Sequence, residues 1–362
     1  MSAHLVALAG LPGMGPARLR ALLEVAEAEE AWAHVRAGTI ADLEVSLPSA
    51  AGERWQHAAA GVDIAAEWEA HIAAGIRVVG IHDPDFPPSL AEDPEPPPVL
   101  FVRGSLDALR SRRVAVVGTR RCTWAGRQVS FALGRDLAAA GVCIVSGLAL
   151  GIDGEAHRGA LRGGAPPVAV VGTGLDVIYP RRHAELWHDV GRNGALISEY
   201  PLGTRAERWR FPARNRIIAA LAEVVVVVES SERGGSMHTV DAALERDRTV
   251  LAVPGPVRSP ASTGTNGLLA AGCPPCRDER DVLIALGLTP TTAVAPDSAG
   301  SSTRPADDDE ARVLDALGWE PATLDELAER LGAPLGPVAV HLTRLANAGW
   351  VIQRSGWWER AR

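Results

Sequence analysis

Phe211-Pro212-Ala213-Arg214-Asn215-Arg216 leads into the apolar run Val224-Val225-Val226-Val227-Val228 and then Glu229, and Gly234-Gly235-Ser236 precedes a second apolar run that closes on Val253-Pro254-Gly255. The order predicts a helix over about Pro212–Leu221, a buried strand, a glycine turn opening a second helix, and another buried strand. In a parallel sheet that unit builds a nucleotide or phosphate site at the carboxyl end of its strands.

Upstream the same alternation repeats. Strands are expected at Ile76–Ile81, Val99–Val102, Val114–Val117, Val142–Val145, Val168–Val171 and Ala195–Ser198, with a helix over about Ala125–Ala140 and another carrying His157. Short apolar runs separated by helical segments specify an α/β fold, a Rossmann-like, doubly wound, mostly parallel sheet. Gly118-Thr119-Arg120, Ser146-Gly147, Gly172-Thr173-Gly174 and Gly234-Gly235-Ser236 each follow a strand, so they converge on one sheet edge. Glycine there lets backbone N–H groups approach an anion. None of these turns carries G-x-G-x-x-G with its later acidic partner, and a chain without lysine has no phosphate-binding G-x-x-x-x-G-K-[ST]. Dinucleotide and ATP sites lose their support, and no cofactor is expected.

All 36 basic residues are arginine. Phosphate contacts therefore fall to planar, permanently charged guanidinium groups. A net charge of −8 excludes a generally basic nucleic-acid coat and requires a local patch. Such a patch stands in Arg205, Arg208, Arg210, Arg214 and Arg216, interleaved with Trp209 and Phe211 and opposed by Glu207, with Arg120 and Arg121 at the first glycine turn. Arginine for phosphates and aromatic faces for unstacked bases is what a single-stranded nucleic-acid groove uses. The alternative is that Arg214 and Arg216 pair with structural carboxylates such as Glu199 or Glu229. Those two glutamates themselves read either as acid–base groups or as orienting partners of the arginines, the second being preferred. His157 reads as a satisfied helix-face histidine, and the lone Cys273-x-x-Cys276 lacks a second ligand pair, so no catalytic residue and no metal are expected.

The flanks divide the chain into a helical module (1–72), the sheet domain (73–288), a Pro/Thr/Ser/Ala-rich linker (289–306) and a small C-terminal domain (307–362). Leu11-Pro12-Gly13-Met14-Gly15-Pro16 has the form of a helix-hairpin-helix turn (a helix-hairpin-helix/SAM-like module), which either contacts a DNA phosphate or needs glycine for φ > 0. Three helices and a hairpin with a Ser355-Gly356 turn make the last domain winged-helix-like. Its recognition helix offers only His341 and Arg344, behind a helix bearing Asp325, Glu326 and Glu329, so weak DNA contact or protein interaction is expected. No apolar run reaches 18 residues, and Met1–Gly10 lacks a signal-peptide pattern, so a cytoplasmic protein without membrane contact is expected.

Taken together, Val117-Gly118-Thr119-Arg120, Ser146 to Asp153 with Ala156-His157, Gly174-Leu175-Asp176 with Tyr179-Pro180, Ile197 to Pro201, Phe211-Pro212-x-Arg214-Asn215-Arg216, Gly235-Ser236 with Thr239, Val253-Pro254-Gly255 and Gly264-x-Asn266 resemble the DNA-processing protein A (DprA/Smf) family. The resemblance covers about 75–285, in order. It implies a non-enzymatic binder of single-stranded DNA that protects incoming DNA in natural transformation and loads RecA recombinase, as a homodimer. It implies DNA contacts at Arg120, at Arg208 or Arg210, and at Phe211. The chain departs from the family at Gly234-Gly235-Ser236-Met237, where Ser-Gly-Ser-Leu is common, and at Cys273. The full candidate DNA-binding set is Gly118, Thr119, Arg120, Ser146, Gly147, Gly174, Arg208, Arg210, Phe211, Arg214, Asn215, Arg216, Gly235 and Ser236. Arg120→Ala and Arg214→Ala are each expected to weaken strand binding without unfolding the chain. Two competing classes remain: a Rossmann-like nucleoside-monophosphate phosphoribohydrolase, which Arg233 to Thr239 only echoes, and an adaptor acting through its terminal domains with a vestigial central pocket.

Overall fold

The structure, a computed structural model, describes residues 2–43, 45, 51–289, 307–318, 321–354 and 356–360. Apart from Thr289, the linker read over 289–306 falls outside the described residues, as does Ser355. The chain forms two compact units, Met1–Pro290 and Thr291–Arg362.

The first unit opens with five helices, α1 (Ser2–Ala9), α2 (Pro16–Leu23), α3 (Ala28–Ala37), α4 (Ala51–Ala59) and α5 (Ile64–Ala73). The Asp63 carboxylate caps α5, accepting the Ala65 and Ala66 N–H groups at 3.0 and 3.1 Å. After β1 (Arg77–Gly80), the short α6 (Pro88–Ala91) and β2 (Val99–Gly104), the alternation runs β3 (Arg113–Val117), α7 (Trp124–Ala139), β4 (Cys143–Ser146), α8 (Ile152–Gly163), β5 (Val168–Val170), α9 (Ala184–Asn193), β6 (Ala195–Ser198), α10 (Arg210–Leu221), β7 (Val224–Val227), α11 (Met237–Leu244) and β8 (Thr249–Ala252). Helices α12 (Thr263–Ala270) and α13 (Glu279–Ala285) end the unit. Helix α10 starts at Arg210, two residues before the expected Pro212. The first turn of a helix has no use for its N–H groups, so Pro212 sits there without cost.

The eight strands lie in the order β1-β2-β6-β5-β4-β3-β7-β8. Strands β6 to β8 in that order are mutually parallel, while β2 pairs antiparallel with both β1 and β6. The side-chain alternation of each strand sorts the core into two faces. Val114, Val116, Ile144, Val224 and Val226 pack with α7, α8 and α13, whereas Ala115, Val117, Val145, Val225 and Val227 pack with α10 and α11. The chain thus winds outward from β3 to β6 on one face and returns to wind from β7 to β8 on the other. The reversal falls between β3 and β7, which is where an open α/β sheet leaves its ligand crevice. Helices α7 and α8 approach closely through glycine: a β-carbon on Gly134 would strike the Ala156 carbonyl, and one on Gly159 the Phe131 carbonyl.

The helical module shares this core. Leu5, Trp32 and Trp55 lie in one buried cluster with Phe101, Val171, Leu175 and Trp187. In the second unit α14 (Asp308–Leu317), β9 (Ala322–Thr323), α15 (Leu324–Leu331), α16 (Leu335–Asn347), β10 (Val351–Arg354) and β11 (Trp357–Arg360) form three helices against a three-stranded sheet ordered β10-β11-β9. Strand β9 extends the expected hairpin, and a Thr323/Glu326 capping box starts α15.

Candidate nucleic-acid interface

At the β3/β7 reversal an open groove of about 690 Å³ runs over the carboxyl ends of the strands. Its floor and walls include Gly118, Thr119, Arg120, Asp153, Phe211, Arg214, Asn215, Gly235 and Ser236. A recess of about 40 Å³ opens beside it, between Gly147, Gly172, Tyr179, Phe211 and Arg214. The β3–α7 loop is anchored to Glu229. The Thr119 N–H donates to the Glu229 carbonyl at 2.7 Å, and the Glu229 carboxylate accepts the Thr123 N–H at 2.8 Å and its hydroxyl at 2.5 Å. Glu229 therefore braces a helix cap and does not orient an arginine as expected.

The exposed cations that line the groove are Arg120, Arg121 and Arg208, none of which has a carboxylate partner among the described residues. The Arg120 guanidinium lies 5.0 Å over the Phe211 ring, and Phe211 stacks on Tyr179 at 5.1 Å between centroids with 29° between planes. Tyr179 is 40% exposed, leaving much of its surface to a ligand. It lines the groove and was missed as a site residue, although Tyr179-Pro180 was visible as a motif.

Arg205 is exposed but lies outside the groove lining, and the remaining arginines of the cluster are turned inward. Arg214 is 4% exposed, and its Nη1 donates to the Val170 carbonyl. Burial pulls its pKa down to about 10 despite Asp153. It lines the groove, but as part of the floor. Arg216 pairs with the buried Glu199 and donates to the Glu95 carbonyl at 2.7 Å, and it is absent from the groove lining. Arg210 folds back onto the Arg205 carbonyl at 2.6 Å and lies 4.8 Å over the Tyr200 ring. Asn215 donates to the Gly235 carbonyl at 3.2 Å, and the Ser236 hydroxyl to that of Ser230 at 2.9 Å. Ser146 is fully buried with its hydroxyl on the Val116 carbonyl at 2.6 Å, and Gly174 lies outside the lining with its N–H on the Thr204 carbonyl at 2.9 Å.

The second glycine turn is filled from within. Asp153, at the start of α8, accepts the Gly147 N–H at 3.2 Å and is 6% exposed. Burial raises its pKa, against the Arg214 charge and the Ala149 and Gly147 amides that favour the carboxylate. His157 is buried beside the Ser146 backbone, but neither ring nitrogen meets it in hydrogen-bond geometry, so it is not the satisfied histidine expected. Burial lowers its pKa to about 3. Burial also raises the thiols of Cys273 and Cys276, the latter to about 12, which keeps them protonated. Asp307, Glu310 and His341 gather in the second unit, but Asp307 is already the cap of α14, accepting the Asp309 and Glu310 amides.

Comparison with known proteins places this geometry. The family model described as DNA recombination-mediator protein A matches 77–287, and that of the DprA winged helix domain matches 296–356. Protein Smf of Escherichia coli is 39% identical over 285 residues, covering 76% of this chain and 75% of the relative. DNA processing protein DprA of Streptococcus pneumoniae is 41% identical over 207 residues, covering 56% and 72%. The X-ray structure of the Streptococcus pneumoniae protein aligns with a TM-score of 0.67 at 32% identity, covering 78% of this chain and 98% of that one. A Helicobacter pylori DNA processing protein A structure, described for its single-stranded DNA binding mode, aligns at 0.53 and 29% identity over 58% and 95%. With both domain models matched in order and the sheet, its crevice and the winged-helix unit all in place, the chain belongs to the DprA/Smf family.

Proposed function

We propose that the chain binds single-stranded DNA in the groove at the β3/β7 reversal, as part of DNA processing for recombination. The observation that carries this is the set of exposed Arg120, Arg121 and Arg208, none with a carboxylate partner among the described residues, beside the Phe211–Tyr179 stack, with an open groove between them. Guanidinium groups take the phosphates, and the rings take bases that a duplex would keep stacked. The Helicobacter pylori relative, described as binding single-stranded DNA, supports the choice of ligand. The family's description as a recombination mediator supports the finer reading, that the bound strand is handed to a RecA-type recombinase by a homodimer. The phosphoribohydrolase reading needs a carboxylate free for proton transfer. Glu199 is buried against Arg216 and Glu229 is held by Thr123, and neither lines the groove.

The test is a fluorescence titration of oligo-dT against the full chain over a salt series. Binding is expected to tighten with oligonucleotide length, to exceed that for duplex of equal length, and to weaken as salt rises. Equal affinity for duplex and single strand, or no salt dependence, overturns the reading. Release of adenine from AMP at enzymatic rates makes the chain a hydrolase instead. RecA nucleation on strands coated with single-strand binding protein, with and without the chain, tests the handover.

A further inference from the structure

The turn between β4 and α8 has the parts of an anion cradle. Gly147 has no room for a β-carbon because the Arg214 guanidinium lies against it, Leu148 sits at φ 56°, and Gly151 at φ 80° opens the twelve-residue α8. Leu148 held in the left-handed region is a strained choice for a non-glycine residue. In phosphate-binding α/β proteins the amides of such a turn, and the helix start behind it, receive the ligand's phosphate. Here Arg214 forms the floor and Arg120 the rim of the same feature.

The position is already occupied by the chain's own carboxylate. Asp153 lines the groove, accepts the Gly147 N–H at 3.2 Å, and is nearly buried in the first turn of α8. It supplies the negative charge that the helix start and Arg214 favour. An incoming phosphate would have to enter beside a fixed carboxylate where water screens poorly.

We infer that Asp153 sets ligand specificity by filling the phosphate-monoester position from within. The groove then takes the diester backbone of a strand's interior along Arg120, Arg121 and Arg208, and turns away nucleoside monophosphates and 5′-phosphate ends. This rests on the strand-binding reading above. Asp153 holds the Gly147 N–H within Coulombic reach of Arg214 without pairing to it directly, and its carboxylate excludes a second anion.

The experiment uses the full chain as wild type, Asp153→Asn and Asp153→Ala. Thermal unfolding is followed with AMP, with inorganic phosphate, and with chloride at matched ionic strength. Oligo-dT carrying a 5′-phosphate or a 5′-hydroxyl is titrated in parallel. The wild type is expected to show no melting shift beyond chloride with AMP or phosphate, and to bind the two oligonucleotides equally. Asp153→Ala, which opens the space, is expected to gain a phosphate- and AMP-dependent rise in melting temperature and to prefer the 5′-phosphate about tenfold, the value of one charge-assisted contact. Asp153→Asn, which keeps the volume and loses the charge, is expected to shift in the same direction by less. Because removing Asp153 takes away a negative charge that favours the Arg214 guanidinium, Asp153→Ala starts less stable, and the phosphate-dependent rise reads the cradle even then. A wild type that AMP stabilises as much as the variants, or folded variants that phosphate leaves unmoved, overturns the inference while strand binding stands. A wild type that fails to bind oligo-dT overturns the strand-binding reading instead.

Discussion

An arginine's role is set by what its guanidinium already holds. Arg120 holds an aromatic face and no carboxylate among the described residues, so on the proposed strand-binding reading Arg120→Ala is expected to remove one phosphate contact and little else. Its oligo-dT affinity is expected to fall about tenfold, with the salt slope reduced by about 0.7, the share of one phosphate on a single strand. Its denaturation midpoint is expected to stay put, since surface substitutions rarely exceed about 0.5 kcal/mol. Arg214→Ala is the opposite case. It strands the buried Val170 carbonyl and removes a positive charge that favours the Asp153 carboxylate, so a loss of about 1–3 kcal/mol in urea denaturation is expected. Unchanged stability of Arg214→Ala would return that residue to the ligand-facing set. The difference was partly legible: 214, 217, 218 and 221 recur at helical spacing, and all four are buried, so the stripe pointed Arg214 inward. What no pattern within α10 carried was the partner of Arg216, because Glu199 and Glu95 arrive from other parts of the chain.

The eight strands were legible because a strand buried on both faces is written as an unbroken apolar run, as in Val224–Val227. The clasp that positions the groove wall was not, since it joins residues 131 apart. Fully buried His71 on α5 uses its Nδ1 on the Glu67 carbonyl at 2.8 Å, while its Nε2 accepts the Leu202 N–H at 3.2 Å, and its ring lies 5.3 Å from that of Phe101. The neutral ring with the proton on Nδ1 satisfies both bonds. Leu202 stands in the β6–α10 loop, which the Asp176 carboxylate also grips through the Gly203 N–H at 2.9 Å and which continues to Arg208 and Trp209. The helical module thereby fixes one wall of the groove. His71→Leu keeps the apolar packing and orphans the Leu202 N–H. It is expected to weaken oligo-dT binding about threefold, within the 0.5–1.5 kcal/mol worth of one hydrogen bond, and to change the emission of Trp209, which is 53% exposed. Wild-type affinity in a folded His71→Leu would mean the wall holds its place without the clasp.

At the scale of the whole molecule, buried ionisable groups set how stability follows pH. His157 is neutral in the folded chain, with a pKa lowered from 6.5 to about 3 by burial, which the Ser146 backbone offsets only in part. Protonation therefore favours the unfolded chain. The stability His157 contributes is complete above pH 6.5 and is lost as pH falls toward 3, at about 1.4 kcal/mol per pH unit. Glu199 works in the other direction. Burial pushes its pKa from 4.5 up to about 7 in spite of Arg216, so its contribution is present below pH 4.5 and is lost as pH rises through 7. The two slopes oppose each other where their windows overlap, between pH 4.5 and 6.5, so these groups leave the wild-type profile nearly flat there. Below pH 4.5 the Glu199 contribution is complete and His157 continues to lower stability. His157→Leu removes one slope and leaves the other. Measured by urea midpoints at about pH 7, 5.5 and 4, the variant's stability relative to wild type is expected to climb steadily on acidification, by about 1.4 kcal/mol per unit below pH 6.5. The comparison cancels the carboxylates and histidines remote from His157; His183, which burial also lowers, acts on His157 and is the one neighbouring histidine whose titration the substitution changes. Parallel profiles for the two proteins would show that His157 takes up its proton in the folded chain as readily as in the unfolded one, with the helix α8 seam open enough to admit water.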